Sequence, residues 1–230
     1  MTSHDDPRAR LLNAAIDHVA FDGWSGETLK QAAADCDIPL SEATALFPRG
    51  AVDLALGYHR AGDQQMIAQM ADTDQSEMRY RDRVALAIRI RLEIADKEAV
   101  RRGSTLFSLP TNAGDGAKAI WETADSIWQA LGDTSRDVNW YTKRMTLSAV
   151  YSSVVLYWLG DTSDENAATW AFLDRRIDNV MQFEKTKAQL RKNPLVKSFM
   201  AGPGKILDKV TAPSDGGHEN FPGYWSGTKN

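Results

Sequence analysis

Seven apolar side chains, Ala117, Ile120, Trp121, Ala124, Ile127, Trp128 and Leu131, fall at i, i+3, i+4, i+7, i+10, i+11 and i+14. That spacing gathers them on one face of a helix, and a stripe so wide must be covered by a second apolar layer. No stretch alternates apolar and polar residues as a half-buried strand would, so the chain is expected to be all-α, each helix burying its stripe against others. With 230 residues, 43% of them apolar, there is ample sequence for such a core.

The N-terminal third predicts three short helices. Asp6-Pro7 offers an N-cap followed by proline at the first helical position, Leu11, Leu12, Ala15, Ile16 and Val19 give the stripe, and Gly23 ends it. Ser25 or Thr28 can cap a second helix through Asp35. Cys36-Asp37-Ile38 turns into a third, Pro39 to Leu46, closed by Phe47-Pro48. Helix, tight turn and helix in this order resemble the DNA-binding domain of TetR-type regulators. That family usually carries Gly in the turn, Tyr in the recognition helix and Lys soon after Phe-Pro, where this chain has Asp37, Thr44 and Gly50. Residues 1–60 hold five basic side chains, Arg8, Arg10, Lys30, Arg49 and Arg60, against nine acidic ones, and the third helix contains Glu42 but no Lys or Arg. Because phosphate neutralisation supplies most DNA affinity, an acidic face of this kind speaks against DNA binding.

Further helices are predicted over Ala51 to Met70, Met78 to Ile94 and Ala99 to Leu109, with Asp72 to Ser76 as a boundary loop and Asn112 to Gly116 as another loop. Arg81, Arg83, Arg89 and Arg91 with Asp82 and Glu93 read as a solvated face with local ion pairs. After the tryptophan-bearing helix come Asp137 to Leu159, entered through a possible Asn139 cap, and Ala167 to Phe183. The longest apolar run, Met145 to Leu159, holds four Ser or Thr and is too short to span a bilayer. Residues 186–210 then carry six basic side chains against one acid, with Leu195, Val196, Lys197, Phe199, Met200 and Ile206 as candidate membrane contacts of a basic amphipathic helix. The alternative, a C-terminal helix packed on the chain's own bundle, stays open.

The string Asp137 to Arg144, the Val150-Tyr151 pair, the Asp161 and Ser163 spacing and the close Thr169-Trp170-x-Phe172-Leu173-x-x-Arg176 carry a second resemblance. With Arg89 to Leu92 and Leu109-Pro110, they make residues from about Tyr80 to about Lys185 similar to the lipid-binding accessory family of coenzyme Q (ubiquinone) biosynthesis, whose fold is TetR-like. Val154-Val155 stand where that family carries a Thr-Glu pair. The expected organisation is a helix-turn-helix domain at 1–50, a linking helix and loop at 51–75, a ligand-binding and dimerisation bundle at 76–185, the basic helix at 186–211 and a Gly- and Ser-rich end at 212–230.

The resemblance implies a bundle that holds an isoprenoid quinone or its precursor, with Trp121, Trp128, Val150, Val154, Trp158 and Trp170 as candidate lipid-binding residues. It further implies that Asp137, Trp140, Tyr141 and Arg144 form a docking patch for the demethoxyubiquinone hydroxylase, an assignment that suits the weight of Trp, Tyr and Arg in interfaces. Alternatively, Trp140 and Tyr141 simply pack the start of their helix. A homodimer and attachment to the cytoplasmic face of an anionic membrane complete the picture. A TetR-like regulator binding DNA and a hydrophobic effector is the alternative.

Enzyme signatures are missing, which points to a non-enzymatic binder that needs no cofactor. The histidines stand at 4, 18, 59 and 218, so the bundle cannot supply the Glu-x-x-His pairs of a di-iron hydroxylase. Neither a Gly-x-Ser-x-Gly elbow nor a phosphate loop occurs, and Cys36 has no histidine near it in sequence.

Overall fold

The computed structural model describes residues 6–192, with side chains to residue 183. The expected membrane contacts Leu195, Val196, Lys197, Phe199, Met200 and Ile206, and the 212–230 end, lie outside the described residues. Within these, the chain is helical and has no strand: α1 Pro7–Asp22, α2 Gly26–Asp35, α3 Leu40–Leu46, α4 Ala51–Asp72, α5 Tyr80–Glu93, α6 Lys97–Ser108, α7 Ala113–Ala130, α8 Val138–Gly160 and α9 Ala167–Lys192. None of them is long and apolar enough to cross a membrane.

Two compact units emerge, and they do not follow the chain in one cut. Residues 6–77 and 86–123 form the first, and residues 78–85 and 124–192 the second. The sequence places its boundary near 72–76, yet the chain comes back: α6 packs on α1, and Ala99 sits in the same core as Leu11, Val19, Leu29, Phe47 and Leu54. Two polar contacts fix the return, Trp24 Nε1 donating to the Ala99 carbonyl at 2.9 Å and Arg102 Nη2 donating to the Ala20 carbonyl at 2.8 Å.

The helix-turn-helix arrangement forms as the caps dictate. Asp6 Oδ1 accepts from Arg8 N–H at 3.0 Å, Ser25 Oγ accepts from Thr28 N–H at 3.1 Å, and Gly23 ends α1 with φ 64°. In the turn after α2, Asp37 adopts φ 54°. That is the left-handed conformation for which Gly is the usual choice, and Asp is among the few side chains that tolerate it.

The five cations of residues 1–60 are all engaged within this unit. Arg8 donates to the Leu46 carbonyl at 2.6 Å and lies 4.3 Å from the Phe47 ring centroid, and Arg10 donates to the Cys36 carbonyl. These two guanidinium groups therefore cap the C-terminal ends of α3 and α2, where the helix dipole favours positive charge. Lys30 pairs with Glu27 at 3.3 Å, Arg60 with Glu122 at 3.2 Å, and Arg49 with both Asp53 and Asp115. The outward residues of α3 are Leu40, Ser41, Glu42, Thr44 and Ala45, none of them cationic.

A buried polar cluster ties α4, α5 and α7 of the first unit together. Arg91 Nε donates to Asp63 Oδ1 at 2.7 Å, its Nη2 donates to the His59 carbonyl at 2.9 Å, and Thr123 Oγ1 donates to Asp63 Oδ1 at 2.9 Å. Arg91 is therefore not part of a solvated face, as its neighbours in sequence suggest, but 2% exposed. Gly62 makes room for it: a Cβ there would stand 2.7 Å from the Arg91 guanidinium carbon. A close approach also explains why residues 112–116 are not the loop their composition predicts. Gly116 is taken into α7 because its missing Cβ leaves space for Phe107, whose Cβ would otherwise be 2.7 Å away, and Asn112 Nδ2 donates to the Leu106 carbonyl at 3.1 Å just before the helix.

Candidate functional site

In the second unit the start of α5, the end of α7 and the helices α8 and α9 supply the walls. Asp137, not Asn139, caps α8: its Oδ1 accepts from Asn139 N–H at 3.0 Å and its Oδ2 from Asn139 Nδ2 at 2.8 Å. At the far end Asp161 accepts from Ser163 N–H and Thr169 N–H, both at 2.8 Å, and Ser163 Oγ accepts from Ala168 N–H at 3.0 Å. The Asp161, Ser163 and Thr169 spacing noted in the sequence is thus the joint that starts α9. Hydrogen bonds from Ser163 and Thr169 hold the Asp161 carboxyl well below the usual carboxylate range.

Between these helices lies a cavity of about 260 Å³. The wall from α8 consists of Asn139, Thr142, Lys143, Thr146, Leu147 and Val150, which is one helical stripe at i, i+3, i+4, i+7, i+8 and i+11. This stripe is graded, polar over its first two turns and apolar from Leu147 onward. Tyr80, Arg81 and Val84 of α5, Trp128 of α7, and Ile177, Val180 and Met181 of α9 complete the lining. Such a concave site, mostly apolar with a few polar groups at one end, is the ordinary form of a small-molecule pocket.

Of the six candidate lipid-binding residues, Trp128 and Val150 line this cavity. Val154 and Trp158 are packed further along α8 at 0% and 3% exposure, and Trp170 is half-buried with its indole N–H donating to the Glu165 carbonyl at 2.9 Å. Trp121 belongs to the other compact unit. The stripe on α7 is continuous in sequence, but it serves one core up to Thr123 and another from Ala124, so periodicity gave the correct face and the wrong common destination. Lys143, Thr142 and Asn139 carry no sequence signal as lining residues, because polar residues on a helix normally signal solvent.

Asp137, Trp140, Tyr141 and Arg144 fall at i, i+3, i+4 and i+7 of the same helix, on a face beside the graded stripe. Asp137 is exposed, and Trp140 and Tyr141 are half-buried with their rings edge to face at 4.7 Å. Arg144 is different: at 2% exposure it cannot be a contact residue of an outer patch. Its Nε donates to Asp125 Oδ1 at 2.5 Å, its Nη1 to Asp133 Oδ2 at 3.2 Å and to the Trp140 carbonyl at 3.1 Å, and the guanidinium carbon sits 3.9 Å from the Trp140 ring centroid. Arg144 is the support on which Trp140 rests. Lys143 Nζ joins the same cluster, donating to Asp133 Oδ1 and Ser135 Oγ, each at 2.7 Å. Burial works against the charge on Asp133, but the hydrogen bonds from Lys143, Ser135 and Arg144 outweigh it and bring its pKa down to about 2.

Comparison with known proteins bears on this same stretch. The family model for COQ9 matches residues 113–184, which include all of the lining except that from α5. The probable ubiquinone biosynthesis protein coq9, mitochondrial, of Dictyostelium discoideum is 29% identical over 189 residues, covering 78% of this chain and 61% of that protein. The mitochondrial ubiquinone biosynthesis proteins COQ9 of Rattus norvegicus and Homo sapiens are 27% and 26% identical over 220 residues, covering 91% of this chain and 70% and 69% of theirs. Among solved structures, the TetR transcriptional regulator from Nitrosomonas europaea superposes with a TM-score of 0.61 at 19% identity, over 75% of this chain and 97% of that one, a likeness of fold alone. Residues 113–184 are thus similar to the COQ9 family, and the fold is TetR-like.

Proposed function

We propose that this protein is a non-enzymatic, lipid-binding accessory protein of ubiquinone biosynthesis, which holds an isoprenoid quinone precursor in the cavity of its second unit and presents it to the demethoxyubiquinone hydroxylase at a membrane surface. One observation carries the reading: the cavity and the half-buried Trp140–Tyr141 pair occupy neighbouring faces of the first turns of α8, inside the segment that matches the family model. A ligand leaving the pocket at that end would emerge beside the aromatic pair. A homodimer formed through α8 and α9 is part of the proposal. The stacked rings of Tyr157 and Phe172, 4.5 Å apart with Leu156 68% exposed beside them, offer an apolar surface of the required kind.

The regulator reading has little physical support. DNA binding needs cations free to meet phosphate, and in the first unit those of residues 1–60 already cap helices or pair with carboxylates.

Mass spectrometry of an organic extract of the protein purified from a quinone-producing cell tests the binding half: a stoichiometric isoprenoid quinone or precursor is the expected result, and a small polar effector in its place would return the protein to the regulators. The presentation half rests on Trp140. Trp140→Ala should leave thermal stability within about 1 kcal/mol, since the ring is half-buried, while removing an interface anchor of the kind that contributes about 2 kcal/mol or more. Capture of the hydroxylase by the variant should therefore fall at least about thirtyfold in affinity. Undiminished capture would sink the docking assignment while leaving the lipid assignment standing.

A further inference from the structure

On the reading that this cavity holds a lipid, we infer that the ligand enters with a neutral oxygen toward the N-terminal turns of α8, received by the indole N–H of Trp128 and the third ammonium proton of Lys143, with its tail along Leu147, Val150 and Ile177. Trp128 makes Nε1 the starting point. The nitrogen is buried and has no acceptor among the described residues, although the indole forms part of the cavity wall. Buried donors in a folded protein nearly always have partners, so an orphan in the wall of a pocket marks the place where a ligand acceptor belongs.

Lys143 supplies the second donor. An ammonium group has three protons, and two are taken by Asp133 and Ser135, leaving one. Nζ is 5.3 Å from the Trp128 ring centroid, so the two donors serve one corner of the cavity. The acceptor's charge follows from the pairing of the neighbours. Among the described residues the two cationic side chains in the lining are Lys143 and Arg81, and each already faces a carboxylate, Asp133 for the first and Asp178 for the second. An anionic head would meet neutralised pairs and displace favourable contacts, whereas a carbonyl, phenol or ether oxygen needs only the donors. The site therefore prefers a quinone or phenol oxygen over a carboxylate or phosphate.

Size sets a further limit. About 260 Å³ lies at the lower edge of small-molecule pockets, which run roughly 300–1,000 Å³, so the cavity takes a head and the beginning of a tail. The apolar part of the α8 stripe gives that tail its direction.

The test uses the full chain and three probes whose alkyl tails match to within one carbon: decylubiquinone, n-decylbenzene and decanoate. Calorimetric titration of the wild type should rank decylubiquinone first, and Trp128→Phe, which keeps an aromatic ring and removes the N–H, should weaken it by about tenfold while leaving n-decylbenzene unchanged. The Trp128 indole proton, identified in the ¹⁵N spectrum as the indole resonance missing from Trp128→Phe, should move downfield with decylubiquinone and not with n-decylbenzene. This second readout needs no stable variant during the titration. Equal binding of the quinone and the hydrocarbon, equal loss of both in Trp128→Phe, or a stationary indole proton would overturn the inference and leave lipid binding intact. Tighter binding of decanoate would do the same. Failure of the wild type to bind any of the three would overturn the lipid reading itself.

Discussion

Arg91→Met is expected to destabilise the protein by about 3–5 kcal/mol, although it removes a charge from the interior and keeps a long apolar side chain. The reason is what stays behind. Asp63 is 3% exposed and its carboxylate is held by the Arg91 guanidinium and the Thr123 hydroxyl, so loss of the cation strands a buried anion with one neutral donor. For a chain of this length the loss corresponds to roughly 6–20 °C in Tm, well outside the scatter of a thermal melt. Asp63→Asn combined with Arg91→Met should recover much of it, because the double variant leaves no unpaired charge. A loss below about 1 kcal/mol in the single variant would show that water reaches Asp63 and that the pair is not buried in solution.

The same cluster gives the variant a pH signature. Burial, assisted by the charge of Arg91 and opposed by Asp63, pushes His59 down from 6.5 to about 4. Between those values the unfolded chain binds a proton that the folded chain does not, so wild-type stability is full above about pH 6.5 and declines as pH falls toward 4. In Arg91→Met the repulsion is gone and Asp63 remains, which raises the folded pKa of His59. The acid-side slope of stability should therefore be shallower in the variant than in the wild type, as urea unfolding at a series of pH values would reveal.

How much of this could be read beforehand differs between the two units. Caps and stripes are local signals, and α1, α2 and α3 appear where Asp6-Pro7, Ser25 and the turn at Asp37 put them. The helix starting at Ala113 was hidden because Gly114 and Gly116 look like loop residues, when Gly116 is dictated by Phe107 of another helix. Arg91 and Arg144 were misread for one reason: a cation's burial depends on whether carboxylates distant in sequence, Asp63 and Asp133, converge on it, and no periodicity encodes that. In the pocket the apolar half was visible and the polar half was not. Lys143 and Thr142 sit at positions that spacing alone would assign to solvent, and only the closure of α5, α7 and α9 around α8 makes them lining residues.

Arg144→Met carries the other large effect, and it separates support from contact in the Trp140 patch. Arg144 bridges Asp125 and Asp133, and the side chain of Asp133 is 3% exposed, so methionine should cost about 2–3 kcal/mol: Asp133 keeps Lys143 and Ser135, while the charge-assisted bonds of the guanidinium to both carboxylates are lost. Lysine would not restore it, since a single ammonium cannot reproduce the fork that reaches both carboxylates and the Trp140 carbonyl. Acid titration should confirm the mechanism. Asp133, ordinarily near 3.8, is held at about 2 in the folded protein, so its contribution to stability is present above pH 4 and is lost as pH falls through 2. With Arg144 gone, Lys143 and Ser135 alone lower that pKa, and the decline between pH 4 and 2 should shrink. Hydroxylase capture should also drop in Arg144→Met, because Trp140 loses the guanidinium it packs over at 3.9 Å. The decisive comparison is with Trp140→Ala: loss of capture with stability preserved in that variant, and loss of both in Arg144→Met, assigns contact to Trp140 and support to Arg144, whereas a stable Arg144→Met protein defective only in capture would put the guanidinium itself at the interface.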